Sequence, residues 1–233
     1  MDQARQHRVA NRHARNTTHL RSTFMTQLQV AIDLLSTAEA LALTRQVSQY
    51  VDIIELGTPL IKSEGIAVIS AIKAAHPDKI VFADMKTADA GLLEADLAFK
   101  AGADIVTVLG SAADATIAGA VEAANTHGKR VVADLIGVAN RVERAREVSK
   151  LGVAFVEIHA GLDEQAQPGY TIETLLADGQ LAGVPFSVAG GVKANTIEEV
   201  RNAGATVAVA GAAIYGADDP AAAARSLKAA LTA

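Results

Sequence analysis

Two acids and a lysine stand within six residues at the end of an apolar segment. The sequence DMKTAD runs from Asp84 through Lys86 to Asp89 and follows the apolar run Ile80-Val81-Phe82-Ala83. A loop needs polar residues, but it does not need opposite charges so close together. Carboxylates beside an ammonium group can bind a cation and stabilise negative charge on a small substrate. The segment is therefore a candidate for chemistry.

Other ionisable residues and glycines follow apolar runs elsewhere in the chain. In a parallel barrel the carboxyl ends of the strands meet at one rim, where the chemistry of such folds is found. We expect these residues to converge there and to form one site. In chain order they are Asp33, Glu55, Asp84, Gly110, Asp134, His159, Gly190, Gly191 and Gly211.

The crowded acids predict a divalent cation. Neighbouring carboxylates raise one another's pKa unless positive charge compensates them. Glu55 and Asp84, on adjacent predicted strands, suit Mg²⁺, with Mn²⁺ as the alternative ion. A metal beside Lys86 can stabilise an enediolate formed by proton loss next to a carbonyl. His159 is the rim residue whose ordinary pKa suits moving that proton near neutrality.

Each of these residues also has a structural alternative. Asp89 could cap the following helix, Asp84 could simply pair with Lys86, and His159 could be a packed histidine. Glu55 is harder to explain in this way, because an unpaired carboxylate among apolar residues is costly. Taken together, the set favours function.

Two glycine-containing strand ends predict a phosphate site. The segments VAGGV (188–192) and VAGAAI (209–214) end the seventh and eighth apolar runs, where barrels commonly bind phosphate through backbone N–H groups. The substrate is then a small phosphorylated polyol with a carbonyl group. The candidate phosphate-binding residues are Gly190, Gly191, Gly211 and Ala212, with Lys193 as a candidate cation.

The elements that must position these residues recur along the chain. Eight apolar runs alternate with helix-period segments, and the runs are continuous, as in strands buried on both faces. This predicts an α/β fold with a single (β/α)₈ barrel, and a doubly wound open sheet is the alternative. The runs are Leu28–Ile32, Val51–Leu56, Ile80–Ala83, Ile105–Leu109, Val131–Leu135, Val153–Ile158, Pro185–Ala189 and Thr206–Ala210.

Local signals between the runs mark helix ends. Ser36 with Glu39, and Asn195 with Glu198, resemble capping boxes, and Asp219 precedes a proline at a predicted first helical position. Glycines expected at helix C-termini precede four of the runs, at Gly102, Gly128, Gly152 and Gly204.

Composition excludes several classes of function. The 233 residues include no cysteine, so disulfides, thiolate metal sites and cysteine nucleophiles are excluded. No apolar segment is close to the length of about 20 residues that a membrane-spanning helix needs. We therefore expect a cytoplasmic protein without a membrane partner.

The first 24 residues differ from the rest. They carry five arginines and one acid, a formal charge of +4. Because the whole chain has a formal charge of −5, the remaining residues carry −9. This predicts a basic, disordered extension over 1–24 and a catalytic barrel domain over 25–233. A transit peptide, or an upstream start before Met25, are the alternatives. The acidic body argues against a nucleic-acid partner, because it would repel phosphates.

The motif D-x-K-x-x-D at Asp84, Lys86 and Asp89 resembles the signature of the orotidine 5′-phosphate decarboxylase superfamily. Within it, the segments VDIIELGTPLIKSEG, FADMKTADAG, EIHAGLDEQA and SVAGGV resemble the 3-hexulose-6-phosphate synthase family. The likeness runs from about Met25 to the C-terminus.

The resemblance implies an aldehyde-lyase of the ribulose monophosphate pathway. Such an enzyme performs a Mg²⁺-dependent aldol condensation of formaldehyde with D-ribulose 5-phosphate through an enediolate. Glu55 and Asp84 would then bind the metal, while His159 abstracts the proton and Lys86 holds the oxyanion. The resemblance further implies that Asp33 and Asp134 bind sugar hydroxyls, that the glycine loops bind the phosphate, and that Asp89 reaches the neighbouring site of a homodimer.

Related activities remain as alternatives. The sister 3-keto-L-gulonate 6-phosphate decarboxylases carry Glu in place of Asp134 and arginines after the histidine and after the last glycine, where this chain reads HAGLDEQAQ and GAAIYG. Orotidine 5′-phosphate decarboxylase itself uses no metal and a second lysine. A barrel that only binds a phosphosugar or a protein would not need so many acids.

Overall fold

The computed structural model describes residues 25–233, which form a closed barrel of eight parallel strands in sequence order. The predicted single (β/α)₈ barrel is confirmed, and the open-sheet alternative is wrong. The predicted extension over 1–24 lies outside the described residues. The strands are β1 (Gln27–Ile32), β2 (Ile53–Leu56), β3 (Ile80–Thr87), β4 (Ile105–Leu109), β5 (Arg130–Asp134), β6 (Phe155–His159), β7 (Phe186–Ala189) and β8 (Val207–Ala210).

Helices cover the outside of the barrel. They are α1 (Thr37–Val47), α2 (Thr58–Glu64), α3 (Ala67–Ala75), α4 (Gly91–Lys100), α5 (Asp114–His127), α6 (Arg141–Ser149), α7 (Leu162–Gln165), α8 (Glu173–Ala182), α9 (Ile197–Asn202), α10 (Ala212–Tyr215) and α11 (Pro220–Thr232). A short 3₁₀ turn, Ser48–Tyr50, follows α1. Among the described residues, no helix is long and apolar enough to cross a membrane.

Two apolar clusters hold the fold together. The larger one packs the outer faces of the strands against the helices. The smaller one fills the barrel interior with residues from neighbouring strands, in the layered manner of such barrels. Its buried members are Ile53, Phe82, Ile105, Val132, Phe155, Ala189, Val207 and Val209.

The predicted helix caps are confirmed in part. The Ser36 side chain accepts from the backbone N–H of Glu39, and that of Asp219 accepts from Ala222. The prediction of a cap at Asn195 is wrong, because α9 begins after Thr196, whose hydroxyl bonds the backbone around Gly191 and Lys193 instead. The four glycines predicted before strands all have positive φ, as helix ends require.

Strand β3 is longer than predicted and carries the motif itself. It extends to Thr87, and its pairing with β4 shifts register between Ala83 and Thr87. Lys86 there has φ +45°, an uncommon left-handed conformation for a residue with a side chain. Asp84 and Lys86 therefore belong to an irregular strand end, not to a loop. Asp84 stands two residues after Phe82 of the interior cluster and so faces the same side, and Lys86 Nζ contacts it at 2.8 Å.

Candidate active site

Lys86 connects two strands at the centre of the rim. Its Nζ donates to Asp84 Oδ2 at 2.8 Å and to Asp134 Oδ2 at 2.7 Å. Burial alone lowers the pKa of Lys86, but the charges of Asp84, Asp134 and Glu157 outweigh it, so the pKa lies above its usual range. Lys86 is therefore a permanent cation in the site.

Asp84 is held by neighbours on both sides. Thr58, the first residue of α2, donates its hydroxyl to Asp84 Oδ2 at 2.7 Å, and Thr107 of β4 donates to Oδ1 at 2.8 Å. The Thr107 oxygen also accepts the backbone N–H of Lys86 at 2.9 Å. Thr58 and Thr107 thus fix the orientation of both motif residues, although the motif did not point to either.

Asp134 joins the lysine to the histidine. His159 Nδ1 lies 3.0 Å and 3.1 Å from the two Asp134 oxygens, and the backbone N–H of Ile136 donates to Oδ1 at 2.9 Å. Burial alone raises the pKa of Asp134, but His159 and Lys86 outweigh it and lower the pKa to about 2. An ionised Asp134 can only accept, so the Nδ1 of His159 carries the hydrogen and Nε2 is left for a substrate.

Glu157 is a buried acid beside His159 that the sequence analysis missed. Its Oε1 lies 3.4 Å from His159 Nδ1, and its Oε2 accepts from the Ser187 hydroxyl at 3.2 Å. Burial, followed by the charge of Asp134, raises its pKa well above the usual range. One donor atom each from Asp134, Glu157 and His159 lies within 4.8 Å of the others, so this group is a candidate metal site.

Glu55 lies at the same level on β2. Its Oε2 accepts from Gln29 Nε2 at 2.7 Å, and the side chain is buried. Burial, and then the charge of Asp84, raise the pKa of Glu55 to about 8. Two acids that repel each other in this way fit the predicted divalent cation, because its charge would offset the repulsion.

Asp33 lies just beyond β1, against β2. A methyl group added to Gly57 would sit 2.1 Å from Asp33 Oδ1 and 2.7 Å from the Ile32 carbonyl, so only glycine leaves room there. Burial, and then the charge of Asp84, raise the pKa of Asp33. Asp33 therefore belongs electrostatically to the same site, as predicted.

The glycine ends have the conformations that close backbone approach requires. Gly190 and Gly191 have φ of +109° and +79°, and the Gly190 carbonyl accepts from the Tyr170 hydroxyl at 2.9 Å. Gly211 stands directly before α10, which begins at Ala212. Lys193 is exposed.

Asp89 lies apart from this group. Its side chain is exposed and accepts from the backbone N–H of Ala90 at 2.7 Å. It does not cap α4, because Ala90, in a left-handed conformation, precedes that helix. The structure thus brings together all the predicted acids and bases of the rim except Asp89.

The mouth of this parallel barrel holds a fixed ammonium group, several buried carboxyls and an oriented imidazole, which are groups suited to moving a proton and stabilising a small anion. The profile described as "Orotidine 5'-phosphate decarboxylase / HUMPS family" matches residues 26–227. The chain belongs to that family.

Several relatives share one name. A protein of Mycobacterium gastri, 3-hexulose-6-phosphate synthase, is 69% identical over 205 residues, which are 88% of this chain and 99% of that protein. One of the same name from Methylomonas aminofaciens is 48% identical over 205 residues, 87% of this chain and 98% of its own. The chain is accordingly an enzyme, and the shared name supports an aldolase type of lyase.

Solved structures agree with these relatives. A crystal structure of 3-hexulose-6-phosphate synthase has a TM-score of 0.87 and 70% identity, covering 88% of this chain and 99% of that one. The crystal structure of KGPDC from Streptococcus mutans in complex with D-R5P has a TM-score of 0.84 at 28% identity, covering 89% of this chain and 98% of that one.

Proposed function

We propose that this enzyme condenses formaldehyde with D-ribulose 5-phosphate to give D-arabino-3-hexulose 6-phosphate. The observation that carries the proposal is the chain of contacts from Asp84 through Lys86 and Asp134 to His159, which places a fixed cation beside an oriented base. The names of the relatives support the substrates.

The first step moves a proton from C1 of the ketose. His159 Nε2 accepts it, while the hydrogen on Nδ1 stays bonded to Asp134. The C–H electron pair passes into the C1–C2 bond, and negative charge develops on the C2 oxygen. Lys86 donates its third N–H to that oxygen, while its other two hydrogen bonds, to Asp84 and Asp134, fix the ammonium group.

The second step forms the carbon–carbon bond. The electron pair of the enediolate attacks the formaldehyde carbon from C1, and the C2 carbonyl forms again. The formaldehyde oxygen receives a proton from the His159 imidazolium, which restores the neutral base. One histidine therefore serves in both directions of proton transfer, and no proton is gained or lost overall.

Glu55 and Asp84 would hold a divalent cation, Mg²⁺ or alternatively Mn²⁺. When bound, the cation supplies Lewis-acid polarisation of the substrate oxygens. The group of Asp134, Glu157 and His159 is the less suitable site, because His159 is the proposed base and its Nδ1 is already bonded to Asp134. The Glu55 carboxylate accepts a single hydrogen bond from the described residues, on Oε2, which favours the first pair.

The remaining rim residues would orient the phosphosugar. Asp33 and Asp134 accept hydrogen bonds from its hydroxyls. The backbone N–H groups of the two glycine ends bind the phosphate, at Gly190, Gly191, Gly211 and Ala212. The positive φ values of Gly190 and Gly191, and the position of Gly211 directly before α10, support this role.

We also propose a homodimer in which Asp89 completes the partner's site. Asp89 lines a groove of about 610 Å³ between α4 and α5. Leu92 and Leu93 line it as well and are largely exposed. Apolar side chains beside an exposed acid fit a surface that a second copy covers.

Formaldehyde consumption tests the proposed reaction. Purified enzyme with D-ribulose 5-phosphate and Mg²⁺ is expected to consume formaldehyde, and excess chelator should stop it. Lys86→Ala is expected to lower kcat by about 10²–10³, the usual effect of removing an oxyanion donor. If CO₂ instead forms from 3-keto-L-gulonate 6-phosphate and formaldehyde is untouched, the enzyme is the sister decarboxylase.

A further inference from the structure

Gln29 is a polar side chain inside the barrel to which the reaction assigns no role. It lies on β1 and is 0% exposed. It points to the same side as Ala31, two residues further on, which packs against the interior apolar cluster. Burying an amide in such surroundings is unfavourable unless its polar atoms find partners.

The two ends of the amide have different environments. Nε2 donates to Glu55 Oε2 at 2.7 Å, whereas Oε1 is buried without a hydrogen-bond partner in the described part of the chain. The reverse orientation would bring the amide oxygen against an oxygen of Glu55, which is repulsive when Glu55 is ionised, as a metal ligand must be. A methionine would fill the same space, so packing alone does not explain Gln29.

We infer that Gln29 is a positioning residue that orients the carboxylate of Glu55 for a divalent cation. The inference rests on the metal assignment in the proposed function. Gln29 binds Oε2 from inside the barrel, which leaves Oε1 as the atom that can act as a ligand. Partners that orient a metal ligand typically contribute 10–100-fold to metal affinity.

Ser187 provides a matched comparison. It is also 0% exposed, lies on β7, and points inward like Ala189 of the interior cluster. Its hydroxyl donates to Glu157 Oε2 at 3.2 Å and so supports the other buried glutamate. Removing the Ser187 hydroxyl should leave the Glu55 site unaffected.

The experiment is a calorimetric titration of Mn²⁺ into the metal-free full chain. Gln29→Met is expected to weaken Mn²⁺ binding about 10–100-fold. Ser187→Ala should stay within about two-fold of the parent. The Tm of the metal-free variant shows separately whether the fold is retained, because Gln29→Met removes one unpaired buried oxygen but also leaves Glu55 Oε2 without its donor. Gln29→Leu serves as a second variant if the Gln29→Met protein does not fold.

Four outcomes separate the possibilities. Equal Mn²⁺ affinity in the parent and in Gln29→Met, or no Mn²⁺ binding by the parent, overturns the inference. Weakening by Ser187→Ala alone would place the cation at Asp134, Glu157 and His159, which also overturns it. If the parent binds Mn²⁺ and Gln29→Met weakens it, but formaldehyde is not consumed, the proposed reaction fails while the role of Gln29 stands.

Discussion

Several ionisable residues in this site lie in positions that are unfavourable for the stability of the fold. Glu55 and Glu157 are buried with raised pKa values, and Lys86 is shared between Asp84 and Asp134. A residue selected only for folding would not be a buried acid facing other acids. The loss of folding stability that these buried carboxyl groups cause is therefore an indication of function, and it can be measured.

Glu55→Gln is expected to stabilise the metal-free protein increasingly as pH rises. The pKa of Glu55 is raised from 4.5 to about 8 in the fold, so the native state keeps a proton that the unfolded chain has lost. The contribution of Glu55 to stability is therefore present below pH 4.5 and is lost as the pH rises toward about 8. Each pH unit in that window costs on the order of 1.4 kcal/mol.

Urea unfolding with chelator at several pH values between these limits measures the effect. The difference in unfolding free energy between Glu55→Gln and the parent should grow with pH, and formaldehyde consumption should be lost. The exposed Glu198→Gln is the control and should track the parent. A constant difference across the pH range would show that burial does not raise the pKa of Glu55.

Most individual site residues could be predicted because each follows an apolar run. Glu157 was missed because it lies within β6, between buried neighbours. The alternation of side chains between the two faces of a strand was the signal that could have identified it. Glu55, Asp134 and Glu157 each stand two residues after a member of the interior cluster, and so face the barrel mouth. Gly57 could not be found, since its constraint is the Asp33 carboxylate of another strand.

At the scale of elements, aspartates at the opposite face of the barrel connect neighbouring strands. Asp104, just before β4, accepts the backbone N–H of Val81 at the start of β3 at 2.9 Å, and Asp52 accepts that of Leu28 at 2.8 Å. Lysines complete both arrangements, for example Lys129 Nζ at 2.6 Å from Asp104 Oδ1. This face carries stabilising contacts, whereas the other carries the chemistry.

Asp104→Asn is expected to destabilise the protein by about 1–2 kcal/mol at neutral pH, because charged hydrogen bonds are lost. Burial alone raises the pKa of Asp104, but Lys129, Lys73 and the Val81 N–H lower it overall. A lowered pKa means that this stability is present above the unfolded value and disappears as pH falls below about 4.

Thermal unfolding of Asp104→Asn measures this loss, and formaldehyde consumption at moderate temperature should be unchanged. Asp78→Asn, exposed on the same face, is the control. Equal Tm values for Asp104→Asn and the parent would show that Asp104 is not a structural connection.

Element positions were predicted more fully than element ends. Continuous Val and Ile runs located all eight strands, since strands buried on both faces need such residues. The end of β3 was not predicted, because the left-handed backbone of Lys86 depends on the Thr107 hydroxyl of β4. The cap at Asn195 failed for a similar reason, because Thr196 bonds the loop that begins at Gly191.

At the scale of the whole molecule, α4 presents an apolar surface that residues 25–233 leave uncovered. Leu92, Leu93 and Leu97 of α4 are 48%, 60% and 46% exposed, on the helix that follows Asp89. A methyl group on Gly91 would come within 1.9 Å of the Thr116 carbonyl of α5, so the two helices pack too closely for a larger residue there. The α4–α5 face is therefore a closely packed pair of helices, and it is the surface that the proposed dimer would bury.

Leu93→Lys is expected to dissociate the proposed dimer, because a buried ammonium group without a partner is costly in an interface. Sedimentation velocity should show the monomer, and formaldehyde consumption should fall by at least about ten-fold if Asp89 acts in the partner's site, the size of a lost catalytic hydrogen bond. The control is Leu181→Lys, an equally exposed leucine on α8, which should remain dimeric and active.

A monomeric but fully active Leu93→Lys would show that each barrel works alone, and Asp89 would then need another explanation. A parent that is itself monomeric would remove the dimer, while the assignments to Lys86 and His159 would stand, since their contacts lie within one chain.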